Sequence, residues 1–141
     1  MKLSVKYKKL AENAQEPTKA HPSDGGWDLY ASEIVHEGST TLVKLGFGMS
    51  VPEGWCARIA PRSSFTKYGW VLSNSPALID CSYTGEIMLR FTGISEKIFP
   101  YGVGDRVAQM TFEEVPEVLW EQVDTLGNTA RGDGGFGSSG K

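Results

Sequence analysis

The stretch Ala77-Leu78-Ile79-Asp80-Cys81-Ser82-Tyr83-Thr84-Gly85-Glu86 decides how the rest of this chain is interpreted. Its apolar first residues end in the carboxylate of Asp80, and the phenol of Tyr83 follows in the next turn. From Glu86 to Thr92 apolar and polar residues alternate, which predicts a β-strand with one buried face. A carboxylate beside a turn and an aromatic ring fits a general base next to a flat ligand. It also fits an ordinary turn acid in a hairpin, and this stretch alone leaves both interpretations open.

Outward from this stretch, the chain consists of short apolar segments separated by Gly, Pro, Asn and Asp. This pattern predicts an all-β barrel or sandwich with Greek-key-like connections rather than a helical protein. One helical turn is expected between Ser63 and Gly69, capped by Ser63 or Ser64. The roughly ten strands that we predict lie at Leu3–Tyr7, Trp27–Ala31, Thr41–Leu45, Phe47–Val51, Trp55–Ile59, Trp70–Leu72, Ala77–Ile79, Glu86–Thr92, Val107–Phe112 and, more weakly, Val115–Val123.

Size and composition exclude several classes of protein. The chain has 141 residues, 22% of them charged and 40% hydrophobic, as in a soluble single domain. Its net charge of −3 gives no basic excess for binding nucleic acid. We find neither a signal peptide nor an apolar run that approaches a membrane span, so we expect a cytoplasmic protein. Cys56 and Cys81 lack metal-binding spacing; two buried, reduced thiols are the favoured interpretation, and a disulfide between them is the alternative.

Two other segments carry groups suited to a phosphorylated ligand. Arg62-Ser63-Ser64 combines a guanidinium with two hydroxyls, although a solvated surface turn would contain the same residues. From Gly127 to Lys141 the chain is rich in Gly and poor in apolar residues, so it cannot build a core of its own. This tail is either a frayed terminus or a flexible clamp, in which Arg131, open backbone amides and the Phe136 ring would cover a ligand.

Five segments, in order along almost the whole chain, resemble the motifs of the homotrimeric dUTP diphosphatase (dUTPase) family. Each is a weak signal alone, but together they are a strong one. The resemblance implies a jelly-roll or distorted-barrel core at residues 1–126, and a flexible arm at residues 127–141 that completes a neighbouring active site in a homotrimer. The segments are Gly26–Ala31, Pro61–Gly69, Ala77–Glu86, Gly104–Gln109 and Arg131–Gly140.

The resemblance also implies a reaction. Water attacks the α-phosphorus of dUTP, with Mg²⁺ as cofactor, and the products are dUMP and pyrophosphate. This activity keeps uracil out of DNA and supplies dUMP for dTMP synthesis. The implied partners are these nucleotides and other copies of the chain, with no direct contact to nucleic acid or membrane. The implied compartment is the cytoplasm, or the host cytoplasm for a viral source.

Roles for individual residues follow from the same resemblance. Asp80 matches the carboxylate that activates the water, and Tyr83 the ring that packs on the deoxyribose and excludes a 2′-OH. Asp28 matches an outer-sphere carboxylate that reaches Mg²⁺ through water. Asp105 and Arg106 are expected to pair with each other and brace the site. The substrate-binding positions are the uracil-contacting Asn74, the phosphate-binding Arg62, Ser63, Ser64 and Gln109, and also Ala77, Arg131, Phe136, Gly137, Ser138 and Ser139.

Some positions depart from the family pattern without removing a catalytic group. Ala77 and Ser64 each stand where Gly is usual, and Ser139 replaces the commoner Thr. The second motif is also one residue shorter before Lys67.

Two alternatives to a dUTPase are open at this point. The dCTP deaminases share this fold, but they have Trp at the position of Tyr83 and a catalytic Glu where this chain reads Leu89-Arg90, so we predict no deamination. A bifunctional nucleotide enzyme of the same fold belongs to this first alternative. The other alternative is a nucleotide-binding regulatory module without turnover, or a dUTPase that also signals to a protein partner.

Overall fold

Nine strands and one short 3₁₀ helix form the fold in the computed structural model, which describes residues 1–140. None of the helical structure in that range is long and apolar enough to cross a membrane. The 3₁₀ helix is Ser63–Lys67. The strands are β1 (Lys6–Lys9), β2 (Trp27–Tyr30), β3 (Glu33–Glu37), β4 (Thr40–Ser50), β5 (Trp55–Pro61), β6 (Trp70–Leu72), β7 (Ala77–Ile79), β8 (Glu86–Gly93) and β9 (Arg106–Glu114).

The strands form two antiparallel sheets. One has the order β1-β4-β8-β6, with β3 also paired to β4, and the other has the order β2-β9-β5-β7. Consecutive strands such as β4 and β5 lie in different sheets, so the chain crosses repeatedly between the two layers. This arrangement confirms the predicted all-β, jelly-roll-like architecture.

The core lies between the two sheets and follows the alternation seen in the sequence. In β8, Ile87, Leu89 and Phe91 are at most 1% exposed, whereas Met88 between them is 46% exposed. Successive strand residues point to opposite faces, so this pattern places one face of β8 against the opposite sheet. Phe91 also stacks on Phe65 of the 3₁₀ helix, with ring centroids 4.7 Å apart. The helix is thereby anchored to the core.

The predicted strand Val115–Val123 is wrong. After β9 the chain runs on without regular structure, and Val115, Val118 and Val123 are each about half exposed, at 51%, 56% and 48%. Trp120 is 95% exposed. An extended segment becomes a strand only when a neighbour pairs with its backbone. Within residues 1–140, the segment's one backbone hydrogen bond joins Val115 N–H to Gly54 O at 2.8 Å.

The other corrections concern strand limits. β1 begins at Lys6, so Leu3 and Val5 precede it. The two strands predicted between Thr41 and Val51 are the single strand β4, whose pairing with β8 shifts register between Lys44 and Gly48. Gly46 lies within that shift at φ +73°, and a Cβ there would approach Ser32 Oγ to 2.6 Å. This glycine makes the irregularity possible.

One strand was not predicted, and the helix cap was predicted wrongly. β3, Glu33–Glu37, has no apolar alternation that would separate it from a loop. The 3₁₀ helix has Arg62 at its N-cap, with no side-chain cap hydrogen bond, so neither Ser63 nor Ser64 caps it. Cys56 and Cys81 are both free thiols, as favoured, although Cys81 is only half-buried.

Candidate active site

Three neighbouring strands bring predicted site residues together at one end of the second sheet. Asp28 on β2 is paired with Gln109 on β9, and Gln109 is paired with Ala60 on β5. Directly paired residues share a face of the sheet, as do residues i and i+2 of one strand. Arg62 follows Ala60 by two residues with an extended backbone, φ −72° and ψ 149°. Asp28, Arg62 and Gln109 therefore converge on one side of this sheet end.

The centre of this group is the carboxylate of Asp28, held between two arginines. Asp28 Oδ1 is 3.7 Å from Arg62 Nε, and Asp28 Oδ2 is 3.3 Å from Arg106 Nη1. The Asp28 side chain is 19% exposed, against 30% and 44% for those of Arg62 and Arg106. One carboxylate facing two guanidiniums leaves an excess positive charge, which attracts an anion such as a phosphate.

The predicted pair between Asp105 and Arg106 is wrong. Arg106 reaches Asp28, whereas Asp105 Oδ2 accepts a hydrogen bond from Gly102 N–H at 2.8 Å and closes the turn before β9. Adjacent residues of an extended chain point to opposite sides, so two neighbours seldom meet each other. Arg106 therefore joins Asp28, Arg62 and Gln109 in one cluster, the phosphate-side group, a placement that the sequence did not predict.

The hydroxyls and the amide predicted to bind phosphate have different surroundings. Ser63 and Gln109 are exposed, and Gln109 Nε2 is 3.4 Å from Pro61 O, a long hydrogen bond beside Arg62. Ser64 is half-buried, and its Oγ is hydrogen-bonded to the hydroxyl of Tyr101. Ser63 and Gln109 are thus open to a ligand, whereas Ser64 is already engaged with the protein.

Asp80 lies in an exposed turn just after β7. Its carbonyl accepts a hydrogen bond from Tyr83 N–H at 3.0 Å, and Tyr83 Oη donates to Glu86 O at 2.7 Å. The Tyr83 ring covers Gly85 so closely that a Cβ there would lie 2.7 Å from the phenol oxygen. Within residues 1–140 the Asp80 carboxylate has no hydrogen bond or ion pair, and the residue is exposed. Asn74 is exposed between β6 and β7, and Ala77 is buried at the start of β7.

Asp80 and Arg62 lie at opposite ends of β5. β7 runs antiparallel to β5, with Ala77 opposite Ile59 and Ile79 opposite Ala57. Asp80 therefore lies near the beginning of β5, whereas Arg62 follows the end of that strand. At a rise of ~3.3 Å per residue along β5, the two residues are roughly 20 Å apart. The structure brings the phosphate-side residues together, but it does not bring the Asp80 turn to them within one chain.

The glycine-rich tail also stays apart from both groups. Arg131 Nε donates to Gly134 O of its own turn at 2.9 Å. The Phe136 ring is fully exposed, and the backbone of this residue has a positive φ of +52°. Gly137, Ser138 and Ser139 are exposed as well. As far as the structure describes the tail, no hydrogen bond or ion pair ties residues 127–140 to the sheets.

The groups around Asp28 determine what kind of metal site this carboxylate could form. Residues 1–140 contain no cluster of three or more His, Cys, Asp or Glu side chains that would hold an ion. Asp28 is a single carboxylate already facing two arginines. It does not fit an inner-sphere site, but it fits a hydrated Mg²⁺ carried by substrate phosphates, whose waters can donate to the carboxylate.

An apolar groove of about 690 Å³ is lined by the N-terminal residues and by residues of both sheets. The Tyr7 hydroxyl is buried at its edge without a hydrogen-bond partner. Burial, and then the charge of Glu16, raise the pKa of this phenol. The side chains that line the groove are mostly apolar: Leu3, Val5, Trp27, Phe47, Met49, Trp55, Met110 and Phe112.

The fold and these groups define the class as an all-β protein with an arginine-flanked carboxylate suited to a phosphorylated ligand, and with a second, unpaired carboxylate at Asp80. The dUTPase family model matches residues 12–140. A deoxyuridine 5′-triphosphate nucleotidohydrolase of Yarrowia lipolytica is 43% identical, over 98% of this chain and 90% of that protein. The enzyme of that name from Anaplasma marginale is 38% identical, over 98% and 99%. This chain therefore belongs to the dUTPase family.

Solved structures agree on the fold. The dUTPase of Staphylococcus bacteriophage 80alpha, solved with dUPNHPP, superimposes with a TM-score of 0.82 at 25% identity. The match covers 98% of this chain and 99% of the phage protein. The two-sheet architecture is therefore that of a dUTPase over the matched part of the chain.

Proposed function

We propose that this protein hydrolyses dUTP to dUMP and pyrophosphate, using a water activated by Asp80. The observation that carries the proposal is the free, exposed carboxylate of Asp80 in a chain of the dUTPase family. A carboxylate without a partner can accept the proton of the attacking water, and a positioned base typically contributes ~10²–10⁴-fold to the rate.

The phosphate-side group supplies charge and orientation. Arg62 and Ser63 donate to the phosphates, and Gln109 binds a phosphate oxygen or a water beside them. Asp28 holds the Arg62 guanidinium in place through their ion pair. The same carboxylate would hold a hydrated Mg²⁺ on the triphosphate through water, and that ion would supply neutralising charge for the pyrophosphate leaving group. Arg131, Ser138 and Ser139 of the arm add further donors.

Selectivity for a deoxyuridine nucleotide rests on the turn after β7. Tyr83 is fixed by its hydrogen bond to Glu86 O, so its ring forms a rigid wall against the sugar. A rigid wall rejects a 2′-OH by steric exclusion. A pocket that relies on attraction alone discriminates between substrates that differ by one small group by only ~1–3 kcal/mol of binding free energy. Asn74 lies in the connection that leads into β7, where it can contact the uracil, and the Phe136 ring stacks on the base.

We further propose a homotrimer with shared active sites. Because Asp80 and Arg62 lie roughly 20 Å apart in one chain, a site that uses both must take them from different copies. Two surfaces of the single chain support association. Trp120 and its apolar neighbours are exposed after β9, and a separate apolar groove is lined by Trp27, Trp55 and Phe112. An exposed apolar surface of this kind marks a contact with another chain.

The decisive experiment measures pyrophosphate release from dUTP, dTTP, dCTP and UTP, with Mg²⁺ and with a chelator. We expect release from dUTP alone and its loss on chelation. Failure to hydrolyse dUTP would overturn the proposal in favour of a binding module. Tyr83→Ala should admit UTP; unchanged rejection of UTP would place sugar selection elsewhere.

The same assay tests the deaminase alternative. Arg90 forms an ion pair with Glu37 on the surface of the first sheet. Its guanidinium cannot replace the catalytic carboxylate that a deaminase has at this position. Formation of a uridine nucleotide from dCTP would contradict this assignment. The cytoplasmic location stays a prediction, to be checked by cell fractionation.

A further inference from the structure

The loop between β8 and β9 is fastened to the segment that carries the phosphate-binding residues. Ile94 N–H donates to Gly69 O at 2.8 Å, and Lys97 Nζ donates to Lys67 O at 3.1 Å. Trp70 Nε1 donates to Lys97 O at 2.9 Å. None of these loop residues belongs to a motif of the sequence. The loop therefore contacts the 3₁₀ helix and the residues that follow it along their length.

Tyr101 makes the contact nearest to the site. Its hydroxyl is hydrogen-bonded to Ser64 Oγ, and its ring lies 4.7 Å from the ring of Phe65. Phe65 is buried and stacks on Phe91 in the core. The ring of Tyr101 is therefore fixed by packing, and its hydroxyl holds Ser64 in place. A hydroxyl fixed in this way can orient the chain on either side of Ser64.

The 3₁₀ helix needs such an external support. It spans Ser63–Lys67, and no side chain caps its N-terminus. Short 3₁₀ segments have poorer hydrogen-bond geometry than α-helices, so their orientation depends on outside contacts. Ser64 also replaces the Gly expected from the family pattern, and its half-buried hydroxyl is hydrogen-bonded to Tyr101. Tyr101 thus supplies one such outside contact.

We propose that Tyr101 is a positioning residue, which acts through Ser64 to orient Arg62 and Ser63 toward the substrate phosphates. The inference rests on the proposed function, since it assigns those two residues to phosphate binding. When the phenol donates to Ser64 Oγ, the serine hydroxyl retains its own hydrogen for a further acceptor. Tyr101 itself contacts no reacting atom.

The test removes one hydroxyl and keeps the ring. Tyr101→Phe should lower kcat/KM for dUTP, and the affinity for dUpNHpp, by about three- to tenfold, as expected for one hydrogen bond. Tyr68→Phe is the matched control. Tyr68 lies in the same aromatic cluster, with its ring 6.0 Å from that of Tyr101, but its hydroxyl has no hydrogen bond within residues 1–140. Its removal should leave both quantities unchanged.

A double-mutant cycle separates positioning from general support of the fold. If Tyr101 acts through Ser64, Tyr101→Phe should cause no further loss of dUpNHpp affinity in a Ser64→Ala background. Additive losses would overturn the proposal, and so would a Tyr101→Phe enzyme that matches Tyr68→Phe. Melting temperatures of all variants show whether any affinity loss merely follows unfolding.

The two proposals fail in distinguishable ways. A wild-type protein that does not hydrolyse dUTP overturns the proposed function, yet its binding of dUpNHpp still tests Tyr101. A wild-type protein that turns over dUTP, with Tyr101→Phe equal to the control, overturns only the positioning role.

Discussion

Mixing two inactive variants tests whether the active site is divided between chains. Asp80→Asn removes the general base and leaves the phosphate side intact. Arg62→Ala removes a phosphate ligand and leaves the Asp80 turn intact. Asp28 keeps its contact with Arg106 in the second variant, at 3.3 Å, so its carboxylate is not left unpaired. Each variant alone should be inactive, and co-expression should restore turnover.

The expected recovery follows from the roughly 20 Å that separate Asp80 and Arg62 along β5 in one chain. A complete site then takes its phosphate side from one copy and its Asp80 turn from a neighbour. In a ring assembled at random from equal amounts of both variants, about one quarter of the sites receive two intact halves. If both residues came from the same chain, no site would be complete.

The assay is pyrophosphate release from dUTP by the co-expressed mixture, relative to the wild type at equal protein concentration. The matched control combines Arg62→Ala with Asp28→Ala, two changes on the same side of the site. That mixture should stay inactive, because every phosphate side carries one of the two changes. Absence of recovery with Asp80→Asn, while the mixture sediments as a mixed oligomer, would refute the divided site.

Four other predictions follow from single features of the chain. Asp80→Asn should lower kcat by ~10²–10⁴-fold, with dUpNHpp affinity by calorimetry retained; an active variant would remove Asp80 from the mechanism. Deletion of residues 130–141 should abolish turnover without changing the melting temperature, because the described part of this tail, residues 130–140, makes no hydrogen bond to the sheets. Trp120→Asp should shift sedimentation toward smaller species, whereas Ile98→Asp, at another exposed site, should not. Phe91→Ala, at 0% exposure, should lower the free energy of unfolding in urea by ~3–5 kcal/mol.

Most of the fold could be predicted because the periodicity of the sequence reflects burial. β8 is the clearest case, since Ile87, Leu89 and Phe91 of its alternation are buried and the residues between them, including Met88, are not. β3 could not be predicted, because its side chains are at most half-buried on either face. It is a strand because β4 offers a backbone to pair with, and that information lies in another segment.

The segment after β9 shows the opposite error. Its apolar residues indicated a strand, but within residues 1–140 no strand edge pairs with it. Hydrophobic periodicity indicates that a segment is suited to burial. It does not indicate whether the same chain or another chain provides the surface that buries it. The exposed Trp120 is such an unmet requirement in one chain. It is removed if another copy covers that residue, which is the arrangement that the sedimentation experiment tests.

The same reasoning explains why Asp80 was ambiguous in its own sequence. A general base is defined by the phosphate and water placed beside it, and a turn acid by their absence. The residues that would hold that phosphate lie at the far end of β5, so neither the local sequence nor the fold of one chain separates the two roles. The pairings among Asp28, Gln109 and Ala60 were likewise set by register, which single motifs do not encode. The role of Asp80 is therefore a property of the assembled protein, and the mixing experiment tests it at that level.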